Sequence, residues 1–285
     1  MGSLPPVPEP MYVHELWRYP VKSMLGEVLD RVTVGERGIA EDRRWAVVDQ
    51  RTGLVASAKQ PRLWRALLSA TASMADGDVR VSLRGQPGAL PGSDPRLNGL
   101  LSTLLDRPVA LSDQPRGGAG IARADPDQVL AHGVEAEVDA PELILGQAVA
   151  GPTFLDYAPL HLLTTATLQR VGAQVVRYRP NLVLDGGPDQ EPFAENDWVG
   201  ATVKVGEHVR LRVVLPTPRC AVPTLAHGTL PRDPEALRVL MAANRIDVPG
   251  FGVLPAAGVY AQVERGGQVG RGDPVTITPA ADTGS

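Results

Sequence analysis

The stretch ATVKVGEHVRLRVVLPTPRC, residues 201–220, carries the clearest strand pattern of the chain. Its two arms, Ala201–Val205 and Val209–Leu215, are rich in valine, a residue that packs well on a pleated, half-buried surface, and they flank a turn containing Gly206. The pattern predicts a β-hairpin whose second arm delivers Pro216–Cys220 at its end. Strand ends followed by loops are where chemistry tends to sit.

The same character continues outward. Met11–Trp17, Val28–Val34, Trp45–Asp49 and Val79–Leu83 are short, partly alternating or β-rich runs cut by Gly, Asp or Pro, as in an antiparallel sheet or barrel. Asn181–Leu184 reads as an apolar strand led in by Pro180, and Val259–Glu264 with Val275–Ile277 as a closing hairpin. Helices are few: Asn98–Leu105, a short one capped by Thr164 and running through Leu168 and Val171, and one opened by Asp233 and Pro234 with Leu237, Leu240 and Met241 on one face. The chain of 285 residues holds 30 glycines and 27 prolines, one residue in five, which suits many short strands joined by turns. With aromatic residues at 4%, the core is built mainly from Val, Leu and Ala. Asp113–Asp127, rich in Gly, Arg, Asp and Ala, reads as a linker and puts a domain boundary in or just after it. The expected architecture is mainly β with a few helices, an α+β chain. A barrel-like N-terminal domain over 10–125 precedes a second domain over 126–279, between disordered tails at 1–9 and 280–285.

Composition narrows the function. A net charge of −4 argues against nucleic acid as a partner, while a local basic pocket for a small anion stays open. No apolar run approaches the ~20 residues of a membrane-spanning helix, and Met1–Pro10 lacks the basic-then-apolar layout of a signal peptide, so the chain is expected in the cytoplasm, off the membrane. A single cysteine forms no internal disulfide and no zinc or iron–sulfur cluster, and five scattered histidines offer no paired ligand spacing. Redox chemistry therefore needs a bound cofactor.

Four clusters carry candidate chemistry. Cys220 follows Pro216, Thr217, Pro218 and Arg219; the prolines stiffen its approach and the cation favours the thiolate, the form that ligates a soft metal or attacks a substrate. A lone cysteine is equally a small buried hydrophobe, or a nucleophile assisted by His161, His208 or His227, and spacing selects no pair. Lys22 and Ser23, after the first strand, place a cation beside a hydroxyl, which suits phosphate or a solvated turn. Asp42, Arg43 and Arg44 precede Trp45, a pattern that by itself means a surface ion pair. Arg177 and Arg179 precede Asn181, and strand alternation puts both arginines on one face.

Taken in order, these residues resemble the MOSC family, specifically its two-part members with an N-terminal β-barrel domain, such as the amidoxime-reducing components. The resemblance covers most of the chain. It rests on Tyr19-Pro-Val-Lys22-Ser23, Asp42-Arg43 with Trp45, Arg179-Pro-Asn181, Pro192-Phe-Ala-Glu195 with Trp198, Arg219-Cys220 and Gly272-Asp273-Pro274-Val275. It implies a molybdenum cofactor, Mo-molybdopterin, with Lys22, Ser23 and Arg43 holding its anionic and pterin parts and Arg179 and Asn181 contacting it from the MOSC domain. Tyr157 and Ala158, within Asp156–Pro159, are implied in further, largely main-chain contacts, with Arg219 adjoining and Cys220 as metal-ligating and catalytic thiolate. The implied reaction is reduction of N-hydroxylated or N-oxygenated small molecules with release of water.

The familiar Thr-Thr-Val-Asp run after the cysteine is replaced by Ala221–Gly228, with only Thr224 retained, so the acidic group near the metal is missing and His227 comes forward as a group lining the site. The chain stops soon after Ile277 without a cysteine-rich ferredoxin domain, so a separate electron donor is expected: a ferredoxin, a flavodoxin-like reductase or a cytochrome b5-like protein. The alternatives are a carrier of the cofactor or of sulfur without reductase activity, since related domains end cofactor sulfurases, and a metal-free cysteine hydrolase or transferase.

Overall fold

The expected hairpin forms and sits inside the largest sheet. The structure, a computed structural model, describes residues 10–280; the expected tails lie outside these residues apart from residue 280. The large sheet has nine strands: β1 (Tyr12–Arg18), β2 (Glu27–Leu29), β3 (Leu160–Thr164), β4 (Leu182–Asp185), β5 (Thr202–Val205), β6 (Val209–Pro218), β7 (Arg245–Val248), β8 (Gly252–Arg265) and β9 (Val275–Thr278). Their order is β9-β5-β6-β8-β3-β4-β1-β2, with β7 on the far end of β8. The fold is mainly β, as expected, and strands from the two ends of the sequence share this sheet.

Several expectations are corrected by strand pairing, which a local pattern does not encode. The second hairpin arm runs past Leu215 to Pro218, paired with β8 across register shifts at Val213/Leu215 and Pro216/Pro218. Prolines lack the N–H a ladder needs and survive where the ladder is already interrupted. The closing hairpin does not form: β8 pairs with β3, β6 and β7, and β9 with β5. Val28–Val34 divides at Asp30, Glu27–Leu29 staying on β1 while Arg31–Gly35 pairs with Gly267–Gly270. Asp113–Asp127 is more than a linker: Gly120–Ala122 pairs with Glu142–Ile144, and Asp125 caps the helix Pro126–His132 by accepting from the Gln128 amide at 2.9 Å.

The strands β3 and β4 are parallel and are joined through the helix Thr165–Val171. Thr164 caps it, its hydroxyl accepting from the Thr167 amide at 3.1 Å, and Gly172 closes it in the left-handed conformation. The helix Glu235–Ala243 buries Ala236, Leu237 and Leu240, whereas Met241 is only half-buried.

Apolar packing falls into separate clusters. One fills the large sheet, from Val13 and Leu16 to Val203, Leu211 and Val259. A second, with Val21, Val47, Leu67, Val81, Leu97 and Leu101, is drawn entirely from residues 21–111. A third joins Ala58 and Leu68 to Cys220, Val222 and Leu225. The cysteine therefore lies at a seam between early and late segments.

Candidate functional site

At this seam lies a cleft walled by both early and late segments of the chain. The loop after β1 supplies Lys22 and Ser23, the turn before Trp45 supplies Arg43, and the approach to β3 supplies Asp156 and Ala158. His161 comes from β3, Arg179 and Asn181 from the approach to β4, Arg219 and Cys220 from the end of β6, and Tyr260 from β8. The expected site residues all line the cleft except Tyr157. Its ring packs instead against Phe251 and Tyr260, and its carbonyl accepts from the Ala148 amide.

Backbone strain is concentrated here. Ser23 (φ 65°), Arg43 (φ 46°) and Arg179 (φ 56°) all occupy the left-handed region without being glycine. Each such residue costs of order 1 kcal/mol or more and persists only where surrounding contacts fix it. The Ser23 hydroxyl accepts from the Ala58 amide at 3.0 Å, and Arg43 donates its own amide to the Tyr19 carbonyl at 2.8 Å. The strain turns both arginine side chains onto the buried Tyr19 ring, their guanidinium carbons 4.8 Å and 4.3 Å from its centroid.

The cleft is cationic. Lys22, Lys59, Arg43, Arg179 and Arg219 line it against one carboxylate, Asp156, with Asp42 behind Arg43. Asp156 Oδ1 takes both ammonium groups, Lys22 Nζ and Lys59 Nζ, the latter at 2.9 Å. Burial pushes the Asp156 carboxyl up, but the two lysines hold it well below the usual carboxylate range. Burial lowers Lys22 to about 8, partly opposed by Asp156, and burial followed by Arg43 lowers Arg179 to about 10. Two cationic donors of the cleft, Arg179 Nη2 and Arg219 Nε, are buried with no hydrogen-bond partner among the described residues. A buried unsatisfied donor costs about 1–3 kcal/mol, and an anion in the cleft would relieve it.

Asn181 is a knot rather than a free contact. Its Oδ1 accepts from Arg43 Nη1 at 3.2 Å and from the His161 amide at 3.1 Å, so it fixes the arginine and β3 together. Arg177 and Arg179 do not share a face, because Val175–Arg177 is a 3-10 turn and not strand. Arg177 points away, fully buried, and donates to the Pro223, Leu225 and Pro231 carbonyls at 3.2, 2.8 and 2.8 Å. It clamps the segment that follows Cys220.

Cys220 is a free thiol, 6% exposed. No histidine is hydrogen-bonded to it. His161 shares the cleft, but its ring nitrogens face the Arg179 and Ala257 carbonyls, and burial followed by Arg219 lowers it to about 3. His208 is exposed beside Glu207. His227 does not line the cleft: its Nδ1 lies 2.9 Å from the Leu225 carbonyl, and burial lowers it to about 4. Sequence reading passed over Lys59, although one signal was present. The chain has only three lysines, Lys22, Lys59 and Lys204, and two of them meet on one carboxylate.

Comparison with known proteins bears on this arrangement. Residues 10–93 match the MOSC N-terminal beta barrel domain and residues 154–276 the MOSC domain. The chain is 24% identical over 298 residues to mitochondrial amidoxime-reducing component 1 of Mus musculus and 24% identical over 290 residues to that of Homo sapiens. Each match covers 93% of this chain and 82% of the relative. Among solved structures, the YUAD protein from Bacillus subtilis aligns over 95% of this chain and 97% of its own, with a TM-score of 0.45 and 10% identity.

Proposed function

Given that this chain belongs to the MOSC family, carrying both the N-terminal β-barrel domain and the MOSC domain, we propose that it is a molybdenum-cofactor oxidoreductase that reduces N-hydroxylated or N-oxygenated small molecules. The observation that supports this most is the cleft itself. Five cations, two with unpartnered buried donors, surround the single thiol of the chain. The donor set fits the group: a phosphate needs convergent cations, and a soft metal prefers thiolate.

Lys22, Lys59 and Arg179 would hold the anionic part, Arg43 and the Ser23 main chain would shape the pterin side, and Asn181 would keep Arg43 aimed. Cys220 would ligate the metal, with Arg219 beside it. Bound, the cofactor would supply a centre that accepts two electrons and passes them to an N–O bond. The domains 10–125 and 126–279 would close on it from two sides, and a separate redox protein would supply the electrons.

A second reading, a carrier of the cofactor or of its sulfur, draws on a specific observation. Asp156 is pinned between two lysines and the His161 nitrogens face carbonyls, so neither is a free acid–base group beside Cys220. Protein produced in a cofactor-competent host decides between the readings. Near-stoichiometric molybdenum and pterin are expected, and their lack would sink both. Turnover of a test amidoxime by dithionite-reduced protein favours the reductase, and no turnover across a panel of N-oxygenated compounds favours the carrier. Cys220→Ala should lose activity and bind metal less firmly, whereas Lys22→Ala and Arg43→Ala should lower cofactor occupancy. A fully active Cys220→Ala variant would refute the ligand assignment.

A further inference from the structure

Behind the Cys220 segment lies an open groove that the cofactor site does not use. Its walls carry Arg65, Arg84, His132 and Arg232, drawn from four separate segments, with Glu135 as the one carboxylate. Glu135 is already taken by Arg65 at 2.7 Å. Arg84 and Arg232 are exposed and make no ion pair among the described residues. A chain of net charge −4 thus concentrates unpaired positive charge at one place.

The floor of the groove is apolar and touches the site. Val134 and Leu225 line the groove and also pack in the apolar cluster that contains Cys220. The Gly228 amide donates to the Leu68 carbonyl at 2.9 Å, and Leu68 lines the cofactor cleft on its other side. Arg177 fixes the rim from within through the Leu225 and Pro231 carbonyls, next to Arg232. The groove is therefore held by backbone contacts against the same apolar cluster that contains the thiol.

We propose that this groove docks a small acidic one-electron carrier protein and that Arg84 and Arg232 recognise its carboxylates. The proposal rests on the oxidoreductase reading of the cleft. An apolar centre inside a charged rim is the layout of a protein–protein interface, which favours a folded partner over a phosphate backbone. Opposite charge across such a rim sets the encounter rate and makes it salt-sensitive. Two encounters would deliver two electrons, each oxidising one carrier. With two protons from solvent they convert an N–OH group to N–H and water.

The test uses the full-length holoprotein with cytochrome b5, a plant-type ferredoxin and flavodoxin as probes. The double variant Arg84→Glu/Arg232→Glu is compared with the control Arg51→Glu/Arg210→Glu, which makes the same change of charge elsewhere. Wild type and control should bind at least one probe with an affinity that falls as salt rises. The groove variant should bind it at least tenfold more weakly at low salt, with dithionite-driven turnover unchanged. Equal binding by both double variants, or no complex of the wild type with any probe, would overturn the docking site. Dithionite-driven turnover reports on the oxidoreductase reading alone, so a failure there is distinguishable from a failure of the groove.

Discussion

Lys22 shows how burial converts an ordinary residue into a tuned one. Its ammonium is surrounded by the Phe154 carbonyl and Asp156, yet burial still lowers its pKa to about 8. The cation is present below that value and lost above it. Binding of a phosphomonoester, whose second pKa near 6 leaves it dianionic throughout, should therefore weaken about tenfold between pH 7 and pH 9, the loss of one charged hydrogen bond. Lys22→Arg should flatten the profile; an unchanged slope in titration calorimetry would rule Lys22 out as its source. Arg177 is the other residue to test, since removing it strands the buried Pro223 and Leu225 carbonyls and releases the more exposed Pro231 carbonyl. Arg177→Ala should cost about 3–5 kcal/mol in urea unfolding and speed the reaction of Cys220 with a thiol reagent, and Arg177→Lys should restore little, because an ammonium cannot span three acceptors. Lys22 and Arg177 were both visible in the sequence as charged residues in short motifs. Their burial was not, because an isolated Lys-Ser or Arg-Tyr-Arg string is more often a solvated turn or sheet edge.

Among the elements, the pairing of β6 with β8 controls the site. Between Val259 and Ala256 on β8, opposite Pro216 and Pro218, one extra residue bulges from the ladder. Gly258 sits in that bulge at φ 76°, and a Cβ there would lie 2.4 Å from the Leu162 carbonyl oxygen and 2.5 Å from His161 Nε2. Both the conformation and the space require glycine. Gly258→Ala should destabilise the protein by about 2–4 kcal/mol by combining backbone strain with overpacking. It should also lower cofactor occupancy by shifting His161 and the end of β6; wild-type stability and occupancy together would mean the bulge does not set the site. The hairpin of β5 and β6 was legible from its valines and Gly206. The bulge was not, because it depends on which strand lies opposite.

At the scale of the whole molecule, two buried neutral histidines and one pinned carboxylate set the response to acid. His161 titrates at about 3 and His227 at about 4 in the folded protein, against 6.5 when exposed. Between pH 6.5 and those values the unfolded chain binds protons that the folded chain does not, so stability falls as pH falls, by up to about 1.4 kcal/mol per pH unit for each histidine. Asp156, held low by its lysines, adds to the loss at lower pH. The urea midpoint should drop steadily from pH 7 to pH 4, and His227→Asn should make the drop shallower; a midpoint independent of pH would contradict the burial of these groups. The β character, the hairpin that leads to Cys220 and the ordered set of Lys22, Arg43, Arg179 and Asn181 that carries the family resemblance were legible in the chain, because residue type, spacing and order are local or linear properties. Folding brings β1 and β2 to the late strands, adds Lys59 and Asp156 to the cleft, keeps Tyr157 and His227 off its wall, and forms a basic groove behind the cysteine. Those outcomes depend on strand partners, burial and the direction of side chains across long loops, and each is fixed by contacts between residues far apart in the chain.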